Sequence, residues 1–325
     1  MDIGIGVSED LTLDRQRQVA HDVEAGGFRS LWTNEARGRD ALITCHAWGR
    51  ATERLEVGVA VAPIWTRTPA QLAMATATLQ EDLDGRFLLG LGVSHPATMG
   101  PWHGADYRRP VTAAREALQI IRQIASGDEA DTDGEVFSSR RFRLEIAAAP
   151  PAPRLYLAAM GPTMLGVSGE LADGVLLNWC TPEGVRRSVD RVHEAGPDTE
   201  VAAYVRVAVH PERNTARRAL ARELGRYCAL PAYAEHLGRQ GHGATVDKVK
   251  DAYKSGGSDA IARALDDETL LEFGWYGTPD DDPGPALARY RDAGLDHLVA
   301  RVVVADEDTG SAVAAAVAAL PGHLV

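Results

Sequence analysis

Cysteine is nearly absent. The 325 residues hold only three, Cys45, Cys180 and Cys228. Their odd number and wide spacing exclude a disulfide framework and any CxxC metal site, so no metal centre is expected. Each reads as a small buried apolar side chain in a reducing cytoplasm. Long hydrophobic runs are missing as well: none reaches the ~18–20 residues a membrane-spanning helix needs. The opening residues, Met1-Asp2-Ile3-Gly4-Ile5-Gly6, begin a strand-like alternation with no basic stretch ahead of an apolar one, so no secretory signal is expected. Positive charge is in deficit, with 34 Lys and Arg against 46 Asp and Glu and a net charge of −12. That balance argues against DNA, RNA or anionic membranes as partners. Repeats, low-complexity tracts and linker-like stretches are lacking too, which leaves residues 1–325 as a single expected domain.

What the chain does have is a large apolar fraction, 45%, spread in short runs that alternate with longer amphipathic ones. Strands are expected at 2–8, 29–34, 55–62, 86–94, 154–160, 175–180, 201–209 and 297–305. Helices are expected at 12–25, 40–52, 69–83, 111–126, 163–173, 182–195, up to about 226, and 311–320. Thr68-Pro69 and Thr181-Pro182 pair an N-cap with proline at the first helical position, and Gly26-Gly27 and Gly196 sit where helices should stop. Eight strand–helix units predict a (β/α)8 TIM barrel rather than an open sheet. Three segments exceed its needs. Residues 95–110 and 127–152, the latter with a probable hairpin, follow the fourth strand; residues 228–290, with two short helical stretches and an acidic turn, follow the seventh.

The strands also predict where space lies. Ile3, Ile5 and Val7 alternate with Gly4, Gly6 and Ser8; Leu55, Val57, Val59 and Val61 with Glu56, Gly58, Ala60 and Ala62; Phe87, Leu89, Leu91 and Val93 with Leu88, Gly90, Gly92 and Ser94. With the large face toward the helices, the small face leaves room at the C-terminal mouth for a broad flat ligand. The alternative is that Tyr156, Tyr204, Arg206 and Arg301 fill it.

Barrel chemistry sits at strand C-termini. There stand Asn34 and Glu35, with Glu35 either a general acid or base or a partner for Arg37 or Arg39. Ser94 and His95 end the fourth strand, and a histidine there can move protons near neutral pH. Met160-Gly161-Pro162 ends a strand and opens a helix, which makes it either a phosphate seat or a plain tight turn. Trp65, Trp102 and Trp179, with Tyr107, lie at expected mouth positions and could wall a pocket.

Taken together, these residues resemble the luciferase-like monooxygenase superfamily, and within it the oxidoreductases that use the deazaflavin coenzyme F420. The resemblance is carried by Gly85-Arg86-Phe87-Leu88-Leu89-Gly90-Leu91-Gly92-Val93-Ser94-His95, by Trp102-His103-Gly104-Ala105-Asp106-Tyr107-Arg108-Arg109-Pro110 with Arg115-Glu116, and by Glu35 with Gly38-Arg39-Asp40. The Pro63 to Pro69 segment and Ala158-Ala159-Met160-Gly161-Pro162 add to it. It implies a bacterial-luciferase-like barrel, often a homodimer, that acts on a small molecule. The cofactor ring would lie against the third strand at Val59, Ala60 and Ala62, with a bulge and a non-proline cis peptide joining Val59 and Ala60. Its phosphate would sit at Met160-Gly161-Pro162, and Asn34, Glu35, Ser94 and Asn178 would lie nearby. Members acting on sugar phosphates carry histidine where Glu35 stands, glutamate where His95 stands, and a lysine near Thr181; all three are missing here, which argues against a sugar-phosphate substrate. The expected activity is hydride transfer between F420 and a small organic substrate, with His95 or Glu35 moving the proton. The alternatives are an FMN-dependent monooxygenase or reductase, a non-catalytic flavin- or deazaflavin-binding protein, and a barrel lyase or isomerase without a redox cofactor.

Overall fold

The computed structural model describes residues 1–8, 10–148 and 150–323. In chain order its elements are β1 (Asp2–Val7), α1 (Leu13–Ala25), β2 (Ser30–Thr33), α2 (Ala41–Gly49), β3 (Glu56–Pro63), α3 (Pro69–Asp82), β4 (Phe87–Gly92), α4 (Pro96–His103), α5 (Pro110–Ala125), β5 (Ala130–Asp133), β6 (Ser138–Phe142) and β7 (Arg154–Ala158). Then follow α6 (Pro162–Leu171), β8 (Gly174–Asn178), α7 (Pro182–His193), β9 (Glu200–Val209), α8 (Arg213–Cys228), α9 (Pro231–Arg239), α10 (Gly243–Ala264), α11 (Asp267–Phe273), β10 (Gly274–Gly277), α12 (Gly284–Arg291), β11 (His297–Val302) and α13 (Thr309–Ala319).

Eight parallel strands close a barrel in the order β1-β2-β3-β4-β7-β8-β9-β11 and back to β1. Every expected barrel strand is present. The expected caps hold: Thr68 accepts from Gln71 N–H and Thr181 from Gly184 N–H. Asp40 caps α2 through Leu42 and Ile43. The insertion after β4 carries α4 and the antiparallel β5–β6 hairpin. The insertion after β9 is richer than two short helical stretches. It holds α9 to α12, with α10 broken at Gly256-Gly257, and a strand, β10, that extends the sheet beside the upper part of β9. Among the described residues no helix is long and apolar enough to cross a membrane. All three cysteines are buried, and burial pushes the thiols up, Cys180 to about 12 and Cys228 to about 11.

The two faces of the strands divide the core as their alternation predicts up to the bulge in the third strand, beyond which Val61 turns into the barrel and Ala62 toward the helices, the reverse of the expectation. Ile3, Ile5, Val7, Val57, Val59, Phe87, Leu89 and Leu91 face the helices. Inside the barrel a smaller cluster of Trp32, Leu88, Tyr156, Leu176, Ala202 and Val299 forms a floor. Glycine makes that floor possible: a Cβ at Gly58 would stand 2.5 Å from the Trp32 ring. Trp32 and Tyr156 meet edge to face, with centroids 5.5 Å apart. The small inward residues are thus partly filled, at the bottom by these aromatics and higher up, at Gly6, by Tyr204 and Arg301.

Below the floor the open bottom of the barrel is closed by charge. Arg29 reaches Glu56 at 2.9 Å, Glu200 at 2.8 Å and Asp2 at 3.2 Å. Arg154 also pairs with Glu56, and Tyr156 donates its hydroxyl to Glu200 at 2.9 Å. His297 Nδ1 lies 3.2 Å from Glu200, and its Nε2 shares a 2.9 Å bond with Ser30. Burial alone would lower the Arg29 pKa, but the bonds and charges of Glu200 and Glu56 outweigh it and hold the guanidinium above its ordinary range.

Candidate active site at the barrel mouth

Above the floor a cavity of about 460 Å³ opens at the C-terminal ends of the strands. Ala60, Val61, Pro63, Gly92 and Val93 line it as an apolar stretch from β3 and β4. The strand β3 bulges here, its register with β4 slipping between Ala60 and Ala62, and the non-proline cis peptide joins Ala60 and Val61. This corrects the expected Val59–Ala60 bond by one residue. The slip also sorts the expected ring contacts: Ala60 lines the cavity, while Val59 and Ala62 pack in the helix-facing core.

The other expected mouth residues divide the same way. Asn34, Glu35, Ser94, His95, Met160, Gly161 and Asn178 all border the cavity. Pro162 does not; it is the first residue of α6, and its carbonyl accepts from Arg191 Nε at 3.2 Å. None of the three tryptophans borders the cavity. Trp179 follows the end of β8 in a left-handed conformation (φ 54°), and its ring is fully buried beneath Arg206 and against Tyr227 and Phe273, behind the cavity wall rather than on it. Trp65 donates to the Val93 carbonyl at 2.8 Å and packs on Tyr107 and Phe137. Trp102 is 48% exposed on α4. Tyrosines take the expected place of the indoles: Tyr204 from β9, Tyr227 from α8 and Tyr233 from α9.

Glu35 is neither free nor paired with Arg37 or Arg39. Arg67 grips both its oxygens, at 2.6 and 3.0 Å, and reaches Asp40 at 2.5 Å. Burial would lower the Arg67 pKa, but its bond to Glu35 and the nearby carboxylates hold it above the ordinary value. Arg39 instead donates to the Leu11 carbonyl at 2.5 Å.

His95 follows Ser94, whose φ of 54° is a left-handed conformation that non-glycine residues enter at a cost. The turn presents His95 as the N-cap of α4, with Nδ1 accepting from Ala97 N–H at 3.1 Å. In the neutral ring the proton is therefore on Nε2. After β7, the neighbour of β4, Gly161 opens α6 with no side-chain cap. A Cβ at Gly161 would meet nothing within 4 Å.

Helix α9 closes this side, and nothing in the strand pattern announced it. His236 lies between the Met160 carbonyl at 3.2 Å and the Asn178 carbonyl at 3.1 Å. Burial, then the charge of Arg239, keeps its pKa below the usual histidine value. Gln240 donates to the Trp179 carbonyl and accepts from Thr181 N–H, both at 2.9 Å. Asn178 donates to the Tyr233 hydroxyl at 2.8 Å, and Arg239 reaches the Met160 carbonyl at 3.3 Å.

Comparisons with known proteins bear on this geometry. The sequence matches the model of the luciferase-like monooxygenase family over residues 2–297. It is 29% identical over 296 residues to the 5,10-methylenetetrahydromethanopterin reductase of Archaeoglobus fulgidus, covering 86% of this chain and 87% of that one. The fold superposes on the coenzyme F420-dependent tetrahydromethanopterin reductase from Methanopyrus kandleri with a TM-score of 0.82, at 21% identity over 97% of each chain. An F420-dependent secondary alcohol dehydrogenase, solved with an F420–acetone adduct, gives 0.75 at 19% identity over 99% of this chain and 98% of that one. At such identities the two structures speak for the fold alone. The family match, however, spans the barrel from its first strand to the start of its last, and the chain belongs to the luciferase-like monooxygenase family of enzymes.

Proposed function

We propose that the chain is an oxidoreductase that uses coenzyme F420 to move a hydride to or from a small organic substrate. The observation that carries this reading is one continuous cavity bordered by an apolar wall from β3 and β4 and, after the neighbouring β7, by an uncapped helix N-terminus. A broad ring bearing a phosphate on a tail fits both. The Archaeoglobus fulgidus relative, a methylenetetrahydromethanopterin reductase, supports a reductive reaction on a carbon centre. A homodimer in a reducing cytoplasm belongs to the same reading.

When bound, F420 supplies hydride transfer; the protein supplies position and the proton. Ala60, Val61 and Pro63 would hold the ring face, and Gly161 with the first turn of α6 the phosphate. Both oxygens of Glu35 are held by Arg67, which leaves His95 as the proton carrier. Its Nε2–H can bond a substrate oxygen, and its imidazolium can deliver a proton there.

Titration with F420 and, separately, with FMN tests the cofactor, with Trp32 below the cavity and Trp179 behind it as fluorescent reporters. F420 is expected to bind at least about tenfold more tightly than FMN. The reverse preference would move the chain to oxygen-using chemistry, and binding of neither would remove the reading.

Gly161→Val tests the phosphate seat. The backbone there is extended (φ −113°, ψ 156°) and the space around its missing Cβ is open, so the fold should tolerate valine. F420 affinity is expected to fall about tenfold or more as the side chain enters the seat. An unchanged dissociation constant would place the phosphate elsewhere.

A further inference from the structure

The charges around the cavity do not cancel. Glu35 is matched by Arg67 and Glu235 by Arg239. Two more guanidinium groups remain, Arg206 on β9 and Arg301 on β11. They are register partners on adjacent parallel strands, so both side chains enter the barrel from the same face. Arg301 borders the cavity. It bonds the Gly6 carbonyl at 3.3 Å, Ser8 Oγ at 3.1 Å and Asn34 Oδ1 at 3.3 Å, all neutral acceptors. Arg206 is 1% exposed and lies 4.1 Å above the Trp179 ring. It donates to Asn178 Oδ1 and to the Tyr204 carbonyl. Neither makes an ion pair with a described carboxylate.

Cations taken from water without a counter-charge are unfavourable, and an anion placed beside them relieves that. One inward step below them on β9 stands Tyr204. Its hydroxyl is buried, has no hydrogen-bond partner among the described residues, and belongs to a side chain that borders the same cavity. Burial raises its pKa well above the ordinary range, so it stays a donor. Gly6 makes the arrangement possible, since a Cβ there would lie 3.3 Å from both Arg301 Cδ and Tyr204 Cε1. Arg301 also borders a second cavity, of about 350 Å³, with Arg222 and Arg226. Those two are paired with Asp259 and Glu223, and Tyr204 borders only the first cavity.

We infer that Arg301 and Tyr204 form an anion subsite, and that the substrate is a carboxylate held by the Arg301 guanidinium and the Tyr204 hydroxyl. Assigning the anion to the substrate rests on the function proposed above; the subsite itself does not depend on the cofactor.

Benzoate and its neutral analogue benzamide test it on the protein without cofactor, with thermal shift and tryptophan fluorescence as readouts. Benzoate is expected to bind at least about tenfold more tightly than benzamide. Arg301→Gln should weaken benzoate about 10–100-fold and leave benzamide unmoved. Tyr204→Phe, which removes a hydroxyl that bonds nothing among the described residues, should weaken benzoate by roughly threefold or more with an unchanged melting temperature in the absence of ligand. Equal binding of benzoate and benzamide, or no binding of either, would overturn the subsite. So would full benzoate affinity in both variants. Competition between benzoate and F420 would give the anion site to the cofactor and overturn the substrate assignment. Benzoate binding by a protein that ignores F420 would keep the subsite and discard the F420 reading instead.

Discussion

Replacing His95 by alanine is expected to leave F420 affinity nearly intact and to lower turnover by ~10²–10⁴-fold, the usual contribution of a positioned general acid or base. A second variant separates the proposed proton transfer from an observed structural bond. His95 Nδ1 accepts from Ala97 N–H and caps α4. Alanine removes the cap as well as the imidazole, at about 1 kcal/mol of local stability. Asparagine can still accept that bond but cannot exchange a proton near neutral pH. His95→Asn should therefore lose turnover like alanine while keeping the melting temperature of the parent. If asparagine restored turnover, His95 would be a cap and Glu35 would have to be reconsidered.

Glu200→Gln is expected to cost about 3–5 kcal/mol of stability near pH 7, because it breaks a largely buried charge cluster at one member. The pH dependence follows from how the carboxylate is held. Burial by itself raises the Glu200 pKa; the bonds to His297 and Arg29 and their charges outweigh it and hold the group well below the ordinary carboxylate range. In the unfolded chain it titrates near ~4.3. The folded state thus binds its proton less readily than the unfolded state does. The stabilisation is complete above ~pH 4.3 and is lost progressively as the pH falls toward the lower folded value. Urea denaturation of parent and variant across a pH series should show a gap that narrows below ~pH 4.3. A gap of constant size would mean that Glu200 acts through packing rather than charge.

The barrel was legible because its signals are local and repeated. Each of the three strands with large and small residues in strict alternation states which side meets the helices, and Thr68-Pro69 and Thr181-Pro182 mark where helices begin. The cis peptide that the resemblance implies at Val59–Ala60 lies one residue further on, and the alternation of Val59-Ala60-Val61-Ala62 holds no signal that could have corrected it. Trp179 does stand at the mouth, but Arg206, Tyr227 and Phe273 cover its ring, and contacts from α8 and α11 leave no trace in the strand pattern. His236, Gln240 and Tyr233 could not be found at all. They come from an insertion whose docking is decided by hydrogen bonds to the carbonyls and N–H groups of the β7 and β8 loops, and no periodicity records such bonds. The role of Arg67 was hidden for a similar reason: it lies 32 positions from the Glu35 it holds.

The way α9 is fastened also sets a direction of traffic. His236 and Gln240 tie it to the carbonyls of Met160, Asn178 and Trp179 and to the Thr181 N–H, the turns that carry Gly161 and Asn178 at the cavity's edge. Lifting α9 would give up those bonds together and disturb both turns as it opened. Arrivals and departures are easier across the rim beyond β2, past Asn34 and Glu35, on the far side of the barrel from β8. A molecule entering there would meet Asn34 and Glu35 first and Gly161 last. If the proposed phosphate position at Gly161 holds, a cofactor would lie behind its substrate and would have to enter first and leave last.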